Sequence, residues 1–209
     1  MRSFLLLAVL LTSSTGALAQ NRYEVIGDTL NFDMLVAEPG NEFTRQLEKY
    51  DVRLLSEYLF EHPEIKILKL TGRGGLMSAA REMAADIIAF NLSTVAYGEC
   101  YSACTLIFLA GQSRTLEAGA KLGFHRQWVD GKAHKNNFET NREVMEWNDE
   151  FEYLMYIYNE LNSELVGDIQ YMDGRGVAFD FIMKTIATEV WDMWTPSLEI
   201  LLSAGVLTE

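Results

Sequence analysis

This chain has few cysteines and histidines. There are only two cysteines and three histidines in 209 residues, and no histidine stands near the cysteines at a ligand spacing, which argues against a metal site. Proline is as scarce, with three residues, and no proline-rich, repetitive or low-complexity linker divides the sequence. Basic side chains are outnumbered 17 to 30 by acidic ones, giving a net charge of −13 that disfavours nucleic acid or an anionic membrane surface and suits cationic or neutral partners. Beyond residue 19 no apolar run is long enough to span a bilayer. What is present is 49% hydrophobic residues, enough for one domain with a substantial core and too short a chain for two large ones.

Residues 1–19 read as an export signal: Arg2, an apolar run from Phe4 to Leu11, and the small-residue cleavage site Ala17-Leu18-Ala19. The mature domain is then expected to be 20–209, periplasmic or secreted, with a net charge of −14 once Arg2 is lost. An oxidising compartment permits a bridge between Cys100 and Cys104. Regular helical geometry holds residues four apart too widely for a disulfide, so a bridge requires Cys100 to bend inward. Two buried small residues and a thiol nucleophile remain the alternatives at this point.

Tyr23 to Ile26 and Leu30 to Leu35 alternate as two short strands across Gly27-Asp28. Pro39-Gly40 predicts a turn, and Phe43 to Phe60 a helix ended by His62-Pro63. Ile65 to Leu70 predicts a strand running into Thr71-Gly72-Arg73-Gly74-Gly75, followed by a helix from Leu76 to Phe90. This glycine-rich turn lacks the Gly-Lys-Ser/Thr ending of a phosphate loop and the full dinucleotide spacing. Glycines there let backbone N–H groups approach a substrate closely. A second strand, Thr94 to Tyr97, leads through a turn to a buried helix over Ala103 to Ala110. Short strands over Ser113–Thr115 and Lys121–His125, a long aromatic-rich helix over Phe138–Leu165, and helices over Val177–Ala187 and Ser197–Ala204 complete the reading. His134, in the polar segment from Asp130 to Asn137, is expected to be solvated.

Two parallel strands place both turns at the carboxyl end of a sheet, where ligand sites of α/β proteins lie. Ser102 falls where strand gives way to helix, close to the free N–H groups of a first helical turn, and His125 ends a nearby strand. A serine beside a histidine points to acyl transfer.

Four stretches in this order resemble the Clp-protease and crotonase superfamily, in particular its exported Clp-protease-like members. They are Gly72-Arg73-Gly74-Gly75, Gly98-Glu99-Cys100-Tyr101-Ser102-Ala103-Cys104, Gly123-Phe124-His125, and Asp192-Met193-Trp194-Thr195-Pro196 leading to Gly205-Val206-Leu207. The likeness covers about Ile65 to Leu207. It implies a ClpP/crotonase-like α/β spiral of repeated β-β-α units with a long helix in the C-terminal half. It also implies Ser102 as nucleophile, His125 as base, Asp192 as the orienting carboxylate with Asp173 and Asp180 as rivals, Gly74 and Ala103 as the oxyanion hole, and Gly75 as a substrate-binding edge. Gly72-Arg73 departs from the Ser-Pro of Clp proteases, the cysteines flanking the serine are a second departure, and the segment from His125 to Asp192 is longer.

The expectation is therefore an exported serine peptidase-like hydrolase of unfolded or short peptides. It would use no cofactor, metal or ATPase partner, assemble as a homo-oligomer and not span a membrane once its signal is removed. The alternative is a catalytically inactive binding or assembly protein of the same fold. A redox protein is a weaker alternative, since Cys-x3-Cys is not the Cys-x2-Cys of thiol oxidoreductases. Export disfavours acyl-CoA chemistry.

Overall fold

The computed structural model describes residues 21–37 and 45–209. The expected signal, the Pro39-Gly40 turn and the first residues of the helix expected from Phe43 lie outside them. The described chain is mixed α/β, with a six-stranded sheet and seven helices. β1 (Tyr23–Ile26) and β2 (Thr29–Asp33) form the expected antiparallel pair, turning at Gly27 with φ 63. β3 (Ile67–Gly72), β4 (Ser93–Tyr101) and β5 (Arg114–Leu116) then add in parallel, in the order β1-β2-β3-β4-β5.

β4 is longer than the sequence suggested. It passes through Gly98, at φ 60, and runs to Tyr101 because β6 (Lys121–Gly123) pairs with its second half after β5 has paired with its first. Helices α1 (Lys49–Glu61), α2 (Met77–Ala89) and α3 (Ala103–Leu109) follow β2, β3 and β4. The order β-β-α occurs twice, as β1-β2-α1 and as β5-β6 followed by α4 (Gly131–Asn141), whereas β3 and β4 each lead directly into a helix.

Strand alternation builds the core. Leu30 and Phe32 of β2, Leu68 and Leu70 of β3 and Ala96 of β4 are fully buried together with Leu55 of α1 and Met83 and Ile87 of α2. All seven residues of α3 are buried, as an apolar helix inside a core must be.

The single helix expected over Phe138–Leu165 is instead two. α4 starts at the Asp130 cap, inside the segment expected to be a polar link, and α5 (Glu150–Gly174) starts at the Asp149 cap. Between them Glu146 takes φ 57, which ends the helical path. His134 lies on α4 with its Nδ1 3.0 Å from the Tyr153 hydroxyl. α6 (Phe179–Ala187) and α7 (Leu198–Ser203) close the chain, and no described helix is long and apolar enough to cross a membrane.

One buried ion pair ties the hairpin to α1. Arg22 is 6% exposed and Asp51 1% exposed, and the guanidinium donates to both carboxylate oxygens at 2.7 and 2.8 Å. Its remaining N–H groups reach the carbonyls of Met34, Val36 and Gln46, so all five donors are used. Asp51 also accepts the Glu48 N–H at 2.9 Å, closing the first turn of α1. Replacing Asp51 by Ala strands a buried cation, and a loss of about 3–5 kcal/mol is expected in urea unfolding. The double variant Arg22→Met/Asp51→Leu is expected to lose clearly less, because no uncompensated charge remains.

Candidate active site

Ser102 joins β4 to α3 with φ 56 and ψ −127, a left-handed conformation rare for a residue with a side chain. Such a conformation costs about 1–3 kcal/mol and persists only where neighbours enforce it. Here the Ser102 N–H donates to the Gly123 carbonyl at 2.9 Å, extending the β4–β6 ladder by one step. The Ser102 carbonyl accepts the Thr105 N–H at 2.8 Å and the Thr105 hydroxyl at 2.7 Å. Cys100 and Cys104 form a disulfide across the serine, with Cα atoms 5.2 Å apart. The geometric difficulty posed by the sequence is resolved because Cys100 belongs to the strand and only Cys104 to the helix.

Gly74, at φ 87, packs against this corner. A Cβ on it would lie 2.8 Å from the Ala103 nitrogen and 2.9 Å from the Ser102 Cβ. The Ala103 N–H belongs to the first turn of α3, whose donors have no partner within the helix. Gly75, at φ 146, is held by Leu47, whose N–H donates to the Gly74 carbonyl at 2.8 Å and whose carbonyl accepts the Leu76 N–H at 2.9 Å. Groups of successive extended residues point to opposite sides, so Leu47 occupies one edge and leaves the N–H and C=O of Gly75 on the other. Gly75 lines both the cavity beside Ser102 and an adjoining groove.

His125 follows β6 in a segment fixed on both sides. Phe124 exchanges backbone hydrogen bonds with Trp194 at 2.9 and 3.0 Å, and the Arg126 N–H donates to the Thr188 carbonyl at 2.9 Å. Ser102 and His125 line one cavity of about 370 Å³ whose walls include Leu106, Leu109, Phe124, Met172 and Ile186. The His125 Nδ1 lies 2.6 Å from the Arg126 carbonyl. A carbonyl only accepts, so Nδ1 carries the proton in this contact and Nε2 is the ring nitrogen able to take one.

Asp192 is exposed and absent from the cavity lining; its N–H closes a turn onto the Glu189 carbonyl at 3.0 Å. Asp173 and Asp180 are likewise exposed and outside the cavity. Asp168 does line it, yet both its oxygens accept from Arg81 at 2.9 Å, and this pairing pushes the Arg81 pKa up. The structure thus brings together Ser102, His125, Gly74, Gly75, Ala103 and the cysteine bridge, and leaves out Asp192, Asp173 and Asp180. Among the described residues no three His, Cys, Asp or Glu side chains gather as metal ligands.

The far end of α3 is closed by side chains. Arg175 donates to the carbonyls of Leu109, Ala110 and Gly111, the Tyr171 hydroxyl to Leu106, and the Thr94 hydroxyl to Phe108. Arg114, 4% exposed, adds a bond to Gly111 and holds Val206 and Gly205. Burial, followed by the nearby Arg175 charge, lowers the Arg114 pKa. Sequence reasoning missed these residues, and it missed the Arg126 carbonyl, a backbone group with no side-chain signature. Thr105, three positions after Ser102, was the one signal in reach.

Gly74 and Gly119 provide a matched pair, since both have left-handed φ (87 and 82), but a Cβ at Gly119 meets nothing within 4 Å. Gly119→Ala is expected to cost about 1–2 kcal/mol in thermal unfolding and to leave Ser102 unaffected. Gly74→Ala is expected to cost more and to slow labelling of Ser102 by a fluorophosphonate by about a hundredfold, the scale of a small misplacement.

No protein-family model and no curated protein matches this chain. Among solved structures the chain is similar to a ClpP1 mutant from Listeria monocytogenes, with 17% identity over 78% of this chain and 85% of that one and a TM-score of 0.48.

Proposed function

We propose that this chain is an exported serine peptidase-like hydrolase acting on unfolded or short peptides. The observation that carries this reading is the shared cavity of Ser102 and His125, with the serine held in a left-handed corner and the imidazole held by a backbone carbonyl. His125 Nε2 takes the Ser102 proton as Oγ attacks a peptide carbonyl. The N–H groups of Gly74 and Ala103 stabilise the oxyanion, and the imidazolium then gives its proton to the leaving amine. Hydrolysis of the acyl-serine repeats the steps with water. The N–H and C=O of Gly75, which have no hydrogen-bond partner among the described residues, pair with an extended peptide in the adjoining groove, where Glu48, Asp130 and Glu160 favour cationic side chains.

Labelling with a fluorophosphonate and mapping by mass spectrometry tests this. The adduct is expected at Ser102, abolished in Ser102→Ala and slowed on the order of 10²–10⁴-fold in His125→Ala. Asp192 holds the third role only if the turn at 189–193 brings its carboxylate to Nδ1 in place of the Arg126 carbonyl. With the carbonyl in that role, Asp192→Asn is expected to leave the labelling rate within about twofold. A loss near 10⁴-fold, the scale seen when a triad carboxylate is neutralised, would assign the role to Asp192.

The second reading, a non-enzymatic assembly protein, draws on α5. Phe151, Leu154, Met155 and Tyr158 form an exposed apolar stripe on it, with Phe151 76% exposed. The same stripe supports a homo-oligomer. A folded chain that no serine probe labels would favour this second reading.

A further inference from the structure

The disulfide is placed where it has the least effect on global stability and the most on one residue. Closing a loop over a separation of four residues restricts the unfolded chain little compared with a long loop. Its ends, however, are the last buried residue of β4 and the second residue of α3, both 0% exposed, and Ser102 lies midway between them. Two other described residues with side chains have positive φ, Asn91 and Glu146, and both stand in turns outside the site. Ser102 alone of the three is cross-linked from both sides.

The bridge ties the strand end to the helix start and so fixes the angle through which the chain turns at the serine. Without it, the bonds of Ser102 to Gly123 and Thr105 remain, but neither joins the end of β4 to the start of α3, and the bond from Thr94 to Phe108 ties only the far end of the helix. A nearby alternative is then open: Ser102 relaxes to helical φ, becomes the first residue of α3, and its hydroxyl changes direction in the cavity it shares with His125. Resting on the hydrolase reading, we propose that the Cys100–Cys104 bridge is a positioning device that gates Ser102, active when oxidised and inactive when reduced. The switch is a two-electron thiol–disulfide exchange. A dithiol reduces the bridge to two cysteine thiols, retaining both protons on them, and leaves as its own cyclic disulfide. A chain in a reducing compartment therefore holds its serine idle, and after export exchange with a disulfide oxidant, which leaves as two thiols carrying both protons as the bridge forms, sets it.

The test compares fluorophosphonate labelling rates of the oxidised chain, the chain reduced with dithiothreitol, and the Cys100→Ala/Cys104→Ala variant. Mass spectrometry of alkylated thiols verifies the reduction, and circular dichroism with thermal melting verifies the fold. The expected result is a fall of at least about tenfold in the reduced and variant chains while they remain folded, with recovery of the reduced chain on reoxidation. An unchanged rate in a fully reduced chain overturns the gate, and so does a fall no larger than the unfolded fraction. Should the oxidised chain itself not be labelled, the hydrolase reading fails separately. The bridge is then judged by hydrogen exchange of the backbone amides from Tyr101 to Thr105: faster exchange confined to this stretch on reduction supports the restraint, and unchanged exchange refutes it.

Discussion

Burying α3 is the constraint on which the rest of the structure depends. A seven-residue helix does not persist by itself, and its terminal carbonyls cannot be left unpaired in a core. The fold meets this with a cluster drawn from distant parts of the chain: Thr94 from β4, Arg114 from β5, and Tyr171 and Arg175 from the end of α5. The Arg114 guanidinium also binds the carbonyls of Val206 and Gly205, and its backbone exchanges bonds with Thr208, so the C-terminal segment is anchored by the same residue. Neither guanidinium has a carboxylate partner among its hydrogen bonds; each faces carbonyl dipoles instead. This is where cations are favoured, at the negative end of a helix.

Closing one end of α3 with cations leaves the other end to the cavity. The N–H groups there meet Ser102, Gly74 and the cysteine bridge. The local cost of a left-handed serine is offset by a helix that cannot slide, because its far carbonyls are held by four side chains. Site and core are thus one mechanical unit: the residues that satisfy the buried end hold the helix whose first turn follows the serine.

Much of this was legible in the sequence where the signal is local. The β1–β2 pair shows in its alternation around Gly27-Asp28, and the strand–glycine–helix unit around Gly74 shows in its abrupt change of period. The break between α4 and α5 was not, because apolar residues continue at helical spacing from Phe138 to Leu165 with no glycine or proline to mark Glu146 as the turning point. The length of β4 was hidden for another reason. Gly98 reads as a turn until β6, some twenty residues later, supplies the ladder that keeps the strand going. Cys-x3-Cys stayed ambiguous because its meaning depends on whether both residues are helical. The partner of His125 lay beyond any reading of side chains, since it is a carbonyl.

Two kinds of interaction hold His125, and their magnitudes differ. Arg126 pairs with Glu189, but both are well exposed, and such pairs contribute roughly 0–1 kcal/mol and weaken with salt. The backbone exchange between Phe124 and Trp194 is reinforced by an aromatic group in which Phe124 meets Phe181 edge-on at 4.9 Å and Trp194 lies 4.6 Å from Phe181. Aromatic contacts of this kind add about 0.5–1.5 kcal/mol each beyond the area they bury. They are indifferent to ionic strength. Placement of the imidazole therefore comes mainly from hydrogen-bonded backbone and packed rings, and the acidic surface of the molecule has little leverage over the geometry of the site.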